Sequence, residues 1–293
     1  MTAIVTAALV TGATGFIGSA LTRRLASSGA RTTCLVREDG PASGKLAAIP
    51  GVSVVRPKSF EPEALRAALS DVPMDTVFHL ASYGVRSTQR DPAHLIEGNV
   101  GLLELLLSST AGRPVHRFIY TGSCSEYGPV AEPERITELH PVAPTSAYGS
   151  AKAVMEARGV AIAGDLGIPF VPLRLFGVYG VGEPEHRLIP HLARHLIQGE
   201  TPSLTGGQQT RDLTYVDDVV EALIQAATAP RIALQTPYNV CSGVPVQIRA
   251  VAERVAIALG KPAANLGLGH LPYRGDEPMW IVGDPSKFQE ATG

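Results

Sequence analysis

Thr11-Gly12-Ala13-Thr14-Gly15-Phe16-Ile17-Gly18 stands between two periodic segments that decide how the chain begins to fold. Before it runs Ile-Val-Thr-Ala-Ala-Leu-Val-Thr (4–11), apolar and rich in β-branched residues, which predicts a strand. After it comes FIGSALTRRLASSG (16–29), where Phe16, Ile17, Ala20, Leu21 and Leu25 recur at helical spacing and Gly29 marks the end. A strand, a glycine turn and a helix form a place where unpaired backbone N–H groups and the helix dipole favour an anion. The spacing is GxxGxxG, related to the closer-set dinucleotide fingerprint. A tight turn with glycines kept for packing has the same local pattern, so the triplet alone predicts dinucleotide binding only weakly. Its position at the first strand–helix junction strengthens that reading.

The same rhythm continues downstream. Strands are predicted at 31–36, 52–56, 76–81, 115–121 and 169–175, with helices at 62–69, 94–109 and 147–165 between them. Such alternation predicts an α/β fold: a Rossmann-like parallel sheet with helices on both faces. Beyond about 175 the rhythm loosens. Loops are predicted over 176–187, helices at 188–198, 217–227 and 248–259, and an extended stretch at 211–216. This divides the chain into a dinucleotide-binding domain, 1–175, and a smaller substrate lobe, 176–293, partly interwoven with it.

Composition limits the alternatives. The 293 residues are 45% hydrophobic and 18% charged, enough for a sizeable core and too little charge for a disordered tail. A net charge of -2 gives no global field for nucleic acid or an anionic membrane. Cys34, Cys124 and Cys241 lack CxxC spacing and fit a reducing, cytoplasmic setting. The first residues lack a basic leader, so no signal peptide is expected, and no apolar run reaches membrane-spanning length. No metal is expected: His191 and His195 share a helix face, but HLARH lacks the glutamate of HExxH.

Tyr148 and Lys152, in YGSAK, are four apart on a predicted helix and share a face. A nearby ammonium stabilises a phenolate, which predicts a lowered tyrosine pKa and a proton carrier. Ser123 follows the strand predicted to end at Thr121, on the ligand-facing side of a parallel sheet. A serine-hydrolase reading fails because GSCSE is not GxSxG.

Together these motifs resemble the extended short-chain dehydrogenase/reductase family, notably its nucleotide-sugar epimerases, dehydratases and ketoreductases. FHLAS (78–82), TGSCSEYG (121–128), RLFGVYG (174–180) and RDLTYVDDVVEAL (211–223) extend the similarity over nearly the whole chain. The resemblance implies NAD or NADP held by Gly12, Thr14, Gly15, Phe16, Ile17, Gly18, Arg37, Leu80, Ala81, Ser82, Asn99, Tyr148 and Lys152. It implies a catalytic set of Ser123, Tyr148 and Lys152. It further implies a nucleotide-diphosphate sugar contacted by Tyr83, Arg86, Ser123, Cys124, Ser125, Tyr179, Arg187 and Arg211, and a homodimer built on helices 94–109 and 147–163.

The departures sort the reactions. The Asp-Glu pair that 4,6-dehydratases place directly after the catalytic hydroxyl is replaced by Cys124 and Ser125, with Glu126 one place later, which moves dehydration back. Arg37 stands near the end of the second strand, where NAD-retaining epimerases commonly carry an acid, and Arg56-Pro57-Lys58-Ser59 lacks the family's acidic residue near the adenine. The leading expectation is therefore an NAD(P)H-dependent 4-ketoreductase acting on a keto-deoxyhexose. A 4-epimerase using NAD is next, and a non-catalytic dinucleotide-binding protein third.

Overall fold

The computed structural model describes residues 4–38, 40–83, 92–130, 133–275 and 277–293, with the backbone alone for 92–97. β1 (Ala7–Thr11), β2 (Arg31–Leu35), β3 (Val52–Val55), β4 (Thr76–His79), β5 (Arg117–Ser123) and β6 (Phe170–Leu175) alternate with α1 (Phe16–Ser27), α2 (Pro41–Ala47), α3 (Pro62–Leu69), α4 (Pro92–Thr110) and α5 (Ala147–Leu166). The strands pair only in parallel, in the order β6-β5-β4-β1-β2-β3. β4 returns to the opposite side of β1 from β2, so the carboxyl ends of β1 and β4 open the crevice where such sheets take ligands.

Both faces are sealed, as the near-continuous apolar runs require. On one side Ala8, Val10, Phe78, Ile119 and Val171 pack with Leu21, Leu25, Val219 and Leu223. On the other, Leu9, Val77, Phe118, Tyr120 and Phe170 pack with Leu65, Leu103 and Met155. Gly159 has a packing role in α5, because a Cβ there would stand 2.6 Å from the Phe170 ring. α5 is capped by the Ser146 hydroxyl, which accepts Gly149 N–H at 3.0 Å, and ends on Gly167 in the left-handed region.

The second half holds short elements that its expected reading lacks. The segment 176–187 contains a short strand, β7 (Gly177–Tyr179), which pairs with β9 (Thr210–Tyr215). Three residues are too few to register as a period. After α6 (Leu188–Gln198), β8 (Ser203–Leu204) and α7 (Val216–Thr228) comes β10 (Tyr238–Val240), which joins β6 as the seventh parallel strand of the main sheet. β11 (Pro245–Gln247), α8 (Ile248–Ala258), β12 (Gly267–Leu268), β13 (Trp280–Ile281) and α9 (Ser286–Thr292) complete the order. β11, β9, β13 and β7 make a mixed four-stranded sheet.

Asp212 ties this lobe together. It is buried and accepts from Ser242 N–H and hydroxyl, Gly243 N–H and Gly283 N–H. Among the described residues no helix is long and apolar enough to cross a membrane.

Candidate functional site

The glycine turn opens at the end of β1. Gly12 has φ +72°, and a Cβ on it would lie 2.7 Å from Ala81 N and Leu80 C. Gly18 faces it from the first turn of α1, where a Cβ would stand 2.2 Å from Gly12 O. The first glycine is thus needed for backbone shape and close approach, the third for helix-on-turn packing. α1 begins with no side-chain cap and no acidic residue in its first turn. Its N-terminal N–H groups are left for an anion, which suits a pyrophosphate.

Thr11 and His79 lock the two crevice strands together. Thr11 Oγ1 lies 2.8 Å from His79 Nδ1 and accepts from Ala81 N–H at 3.2 Å. His79 is buried, and burial with the Lys152 charge lowers its pKa to about 3. It remains a neutral structural ring.

β5 runs two residues further than its periodicity predicts and ends on Ser123 itself. The Ser123 hydroxyl accepts Ser125 N–H at 3.1 Å and caps the 3-10 turn at Cys124–Glu126. The first turn of α5 presses against this turn: a Cβ on Gly149 would lie 2.1 Å from Ser125 O. That close approach brings Tyr148 beside Ser123, whose hydroxyl favours the phenolate.

Lys152 behaves differently from expectation. Its ammonium donates to Thr121 O at 2.7 Å and lies 5.9 Å from the Tyr148 ring centroid. On balance the tyrosine pKa is not lowered: burial, followed by the nearby Cys124, pushes it up to about 12. Lys152 itself falls to about 8 because the charged ammonium loses water.

One cavity of about 2220 Å³ joins these features. It runs from Arg37 and the glycine turn, past Leu80, Ala81, Ser82, Tyr83 and Asn99, to Ser123, Cys124, Ser125, Tyr148 and Lys152. It ends among Tyr179, Arg187, Arg211 and Arg274. Small-molecule pockets occupy about 300–1,000 Å³, so this space takes two sizeable ligands end to end.

A match to the description "NAD dependent epimerase/dehydratase family" covers residues 8–241. The chain belongs to that family. It is an NAD(P)-dependent oxidoreductase or epimerase of the extended short-chain dehydrogenase/reductase type, with NAD or NADP as cofactor. It is 29% identical to a UDP-glucose 4-epimerase of Streptomyces lividans over 97% of this chain and 90% of that protein. It is 31% identical to a dTDP-6-deoxy-L-talose 4-dehydrogenase (NAD(P)(+)) of Kitasatospora kifunensis, over 97% and 89%. The crystal structure of UDP-glucuronic acid 4-epimerase from Bacillus cereus, in complex with UDP-glucuronic acid and NAD, superposes with a TM-score of 0.86 at 25% identity, covering 98% and 93%.

Within the family fold, the structure brings all the sequence-predicted site residues to this one cavity except Arg86, which lies outside the described residues. Some are already engaged. Asn99 is buried and clamps Tyr83, accepting its N–H at 2.7 Å and donating to its carbonyl at 3.0 Å. Arg187 pairs with Glu183 at 3.1 Å, and Arg211 with Glu277 at 2.6 Å. Glu277 also holds Arg274 at 2.7 Å, so one carboxylate orients two arginines at the far end. Arg274, Glu183 and Phe60 were missing from the sequence reading although all three line the cavity. His191 and His195 stack 4.1 Å apart, and among the described residues no three metal-ligating side chains gather.

Proposed function

We propose that this enzyme is a nucleotide-sugar 4-epimerase that works by transient oxidation and re-reduction with NAD. The observation that carries the reading is the single cavity, with the uncapped α1 terminus at one end, Arg187, Arg211 and Arg274 at the other, and Ser123 and Tyr148 between. Arginine forks suit a diphosphate. The relatives add weight, since a 4-epimerase aligns over 97% of this chain. Reduction, placed first on Arg37, therefore moves to second.

The nicotinamide, when bound, accepts and returns a hydride. Tyr148, as the phenolate, takes the proton of the reacting hydroxyl as oxidation proceeds and returns it after inversion. Burial favours the neutral phenol, and the positive charge of an oxidised nicotinamide bound beside it would favour the phenolate. Ser123 holds the reacting oxygen through its hydroxyl. Lys152 anchors the strand end at Thr121 and faces the cavity. Dehydration lacks its base: the positions directly after Ser123 are Cys124 and Ser125, and Glu126 is buried beneath the site.

The second reading, an NAD(P)H-dependent 4-ketoreductase, rests on Arg37. It is exposed at the cavity's edge, where a cation suits a 2′-phosphate. The talose 4-dehydrogenase relative supports it.

Purified protein is incubated with UDP-, dTDP-, CDP- and GDP-hexoses, and separately with 4-keto-6-deoxyhexose nucleotides plus NADPH or NADH. Interconversion of 4-stereoisomers with no net change in nicotinamide redox state is expected. Stoichiometric NAD(P)H oxidation with loss of the carbonyl, and no epimerisation, overturns the proposal in favour of reduction. Tyr148→Phe should abolish either activity.

A further inference from the structure

Beneath the reacting groups lies a charged layer that the mechanism above does not use. Glu126, Arg174, Glu156 and Lys152 are all buried within the chain. Arg174 spends its fork on Glu156, donating from Nε at 3.0 Å and from Nη2 at 2.5 Å, while its guanidinium stacks 4.7 Å over the Tyr127 ring. Glu126 is left with less. One oxygen accepts Ser123 N–H at 2.7 Å. The other has no hydrogen-bond partner and lies 3.6 Å from Arg174 Nε. Gly122 makes room for this carboxyl, since a Cβ there would stand 2.5 Å from Glu126 Oε1.

We propose that Glu126 is a positioning residue for the reacting set, fixing Ser123 from below through its backbone N–H and sharing the buried charged layer with Lys152. The inference rests on the assignment of Ser123, Tyr148 and Lys152 as the reacting groups.

The charged and titratable groups around Glu126 come from three elements. Lys152, Tyr148 and Glu156 face it from α5, Tyr120 from β5, and Arg174 from β6. Cys124 and Tyr127 flank it in its own turn. Burial and the like charge of Glu156 hold its carboxyl well above the ordinary carboxylate range, with Ser123 N–H, Arg174 and Lys152 opposing. Conversely, the Glu126 charge supports the Lys152 ammonium against desolvation. Proton loss from Glu126 and proton retention on Lys152 are therefore one coupled event directly under Ser123. A carboxyl kept only to cap a turn has no need of this neighbour; one that tunes Lys152 does.

The test follows the two groups by NMR without any sugar. In wild-type protein labelled with ¹⁵N-serine, the Ser123 amide should titrate with a midpoint far above the ordinary glutamate value of about 4.3. With ¹³Cε-lysine, five signals arise, and Lys152→Met assigns the one of interest. Its midpoint, about 8 in wild type, should fall by about one pH unit, a tenfold shift, in folded Glu126→Gln. An ordinary midpoint or no titration at Ser123, or an unmoved Lys152 in folded Glu126→Gln, overturns the proposal. The Ser123 titration needs no variant, so it decides the matter even where Glu126→Gln does not fold. Failure to epimerise any nucleotide sugar leaves both NMR results standing, so the two readings fail separately.

Discussion

Gly18→Ala adds one methyl group at the tightest point of the cofactor turn. Its Cβ would stand 2.2 Å from Gly12 O, 2.7 Å from Gly12 C and 3.0 Å from Ala13 Cα. Carbon contacts settle at about 3.5–4.0 Å, so α1 must retreat by about 1 Å. The turn cannot yield instead, because Gly12 is already wedged against Leu80 and Ala81. Overpacking costs about 1–3 kcal/mol, of which better helix propensity returns about 0.5–1. At about 2–4 °C per kcal/mol, the net cost of about 0–2.5 kcal/mol should lower the melting midpoint by up to about 10 °C. Binding suffers more. A 1 Å retreat takes the terminal N–H groups out of hydrogen-bond reach, and a charge-assisted bond is worth about 1.5–3 kcal/mol. The Kd for NAD, read by calorimetry, should therefore weaken by about 10- to 100-fold. Gly44→Ala in α2 is the control: its Cβ meets nothing within 4 Å, and the change should leave NAD binding alone and stabilise by up to about 1 kcal/mol. Gly18→Ala binding NAD with the wild-type Kd would refute the argument.

Three further outcomes follow from the same geometry. Arg174→Met leaves Glu156 and Glu126 buried without their cation and should cost about 3–5 kcal/mol in urea unfolding, much of it recovered by adding Glu156→Leu. His79 takes up its proton only near pH 3 when folded but near 6.5 when unfolded, so the unfolded state holds more protons between those values. Its contribution to stability is present above about 6.5 and is lost as pH falls toward 3; urea midpoints at pH 7 and pH 4.5 should converge in His79→Leu relative to wild type. Arg37→Ala should weaken NADPH about tenfold and leave NADH unchanged, and an unaltered ratio of the two Kd values removes Arg37 as a reader of the 2′-phosphate.

Much of the first half was legible because each element there carries its own period. α3 begins and ends where the apolar spacing puts it, as does α6 further on, and the predicted strands 31–36 and 52–56 hold to within one residue. Elements whose existence depends on distant partners were not legible. β7 is three residues long and exists because β9 pairs with it. β10 is equally short and is defined by β6, more than sixty positions earlier. α2 starts at Gly40-Pro41 and reads as a break, since proline is tolerated only in a first turn.

The site divides the same way. Glycine, Tyr-Lys and serine signals are local and named their residues. Glu126, Arg174 and Glu156 meet across three elements, and Arg211, Glu277 and Arg274 across some 60 positions, so no spacing rule announces them. The expectation about Tyr148 failed for a related reason. Helical spacing puts Lys152 on its face but does not report how deeply the fold buries the phenol, and burial is what raises its pKa.

The late arrival of β10 has a consequence for the chain as it is made. β6 presents Leu173, Arg174 and Leu175 along an edge that stays unpaired until Tyr238–Val240 emerges. About 60 residues must be added first, which at about 5–20 residues per second takes roughly 3–12 s. Throughout that interval the nascent sheet has an open parallel edge, the kind of template that captures a neighbouring strand. A released chain truncated near residue 230 should therefore be far more prone to bind chaperones or associate with its copies than one truncated near 260, although both already carry the whole cofactor turn and the reacting trio.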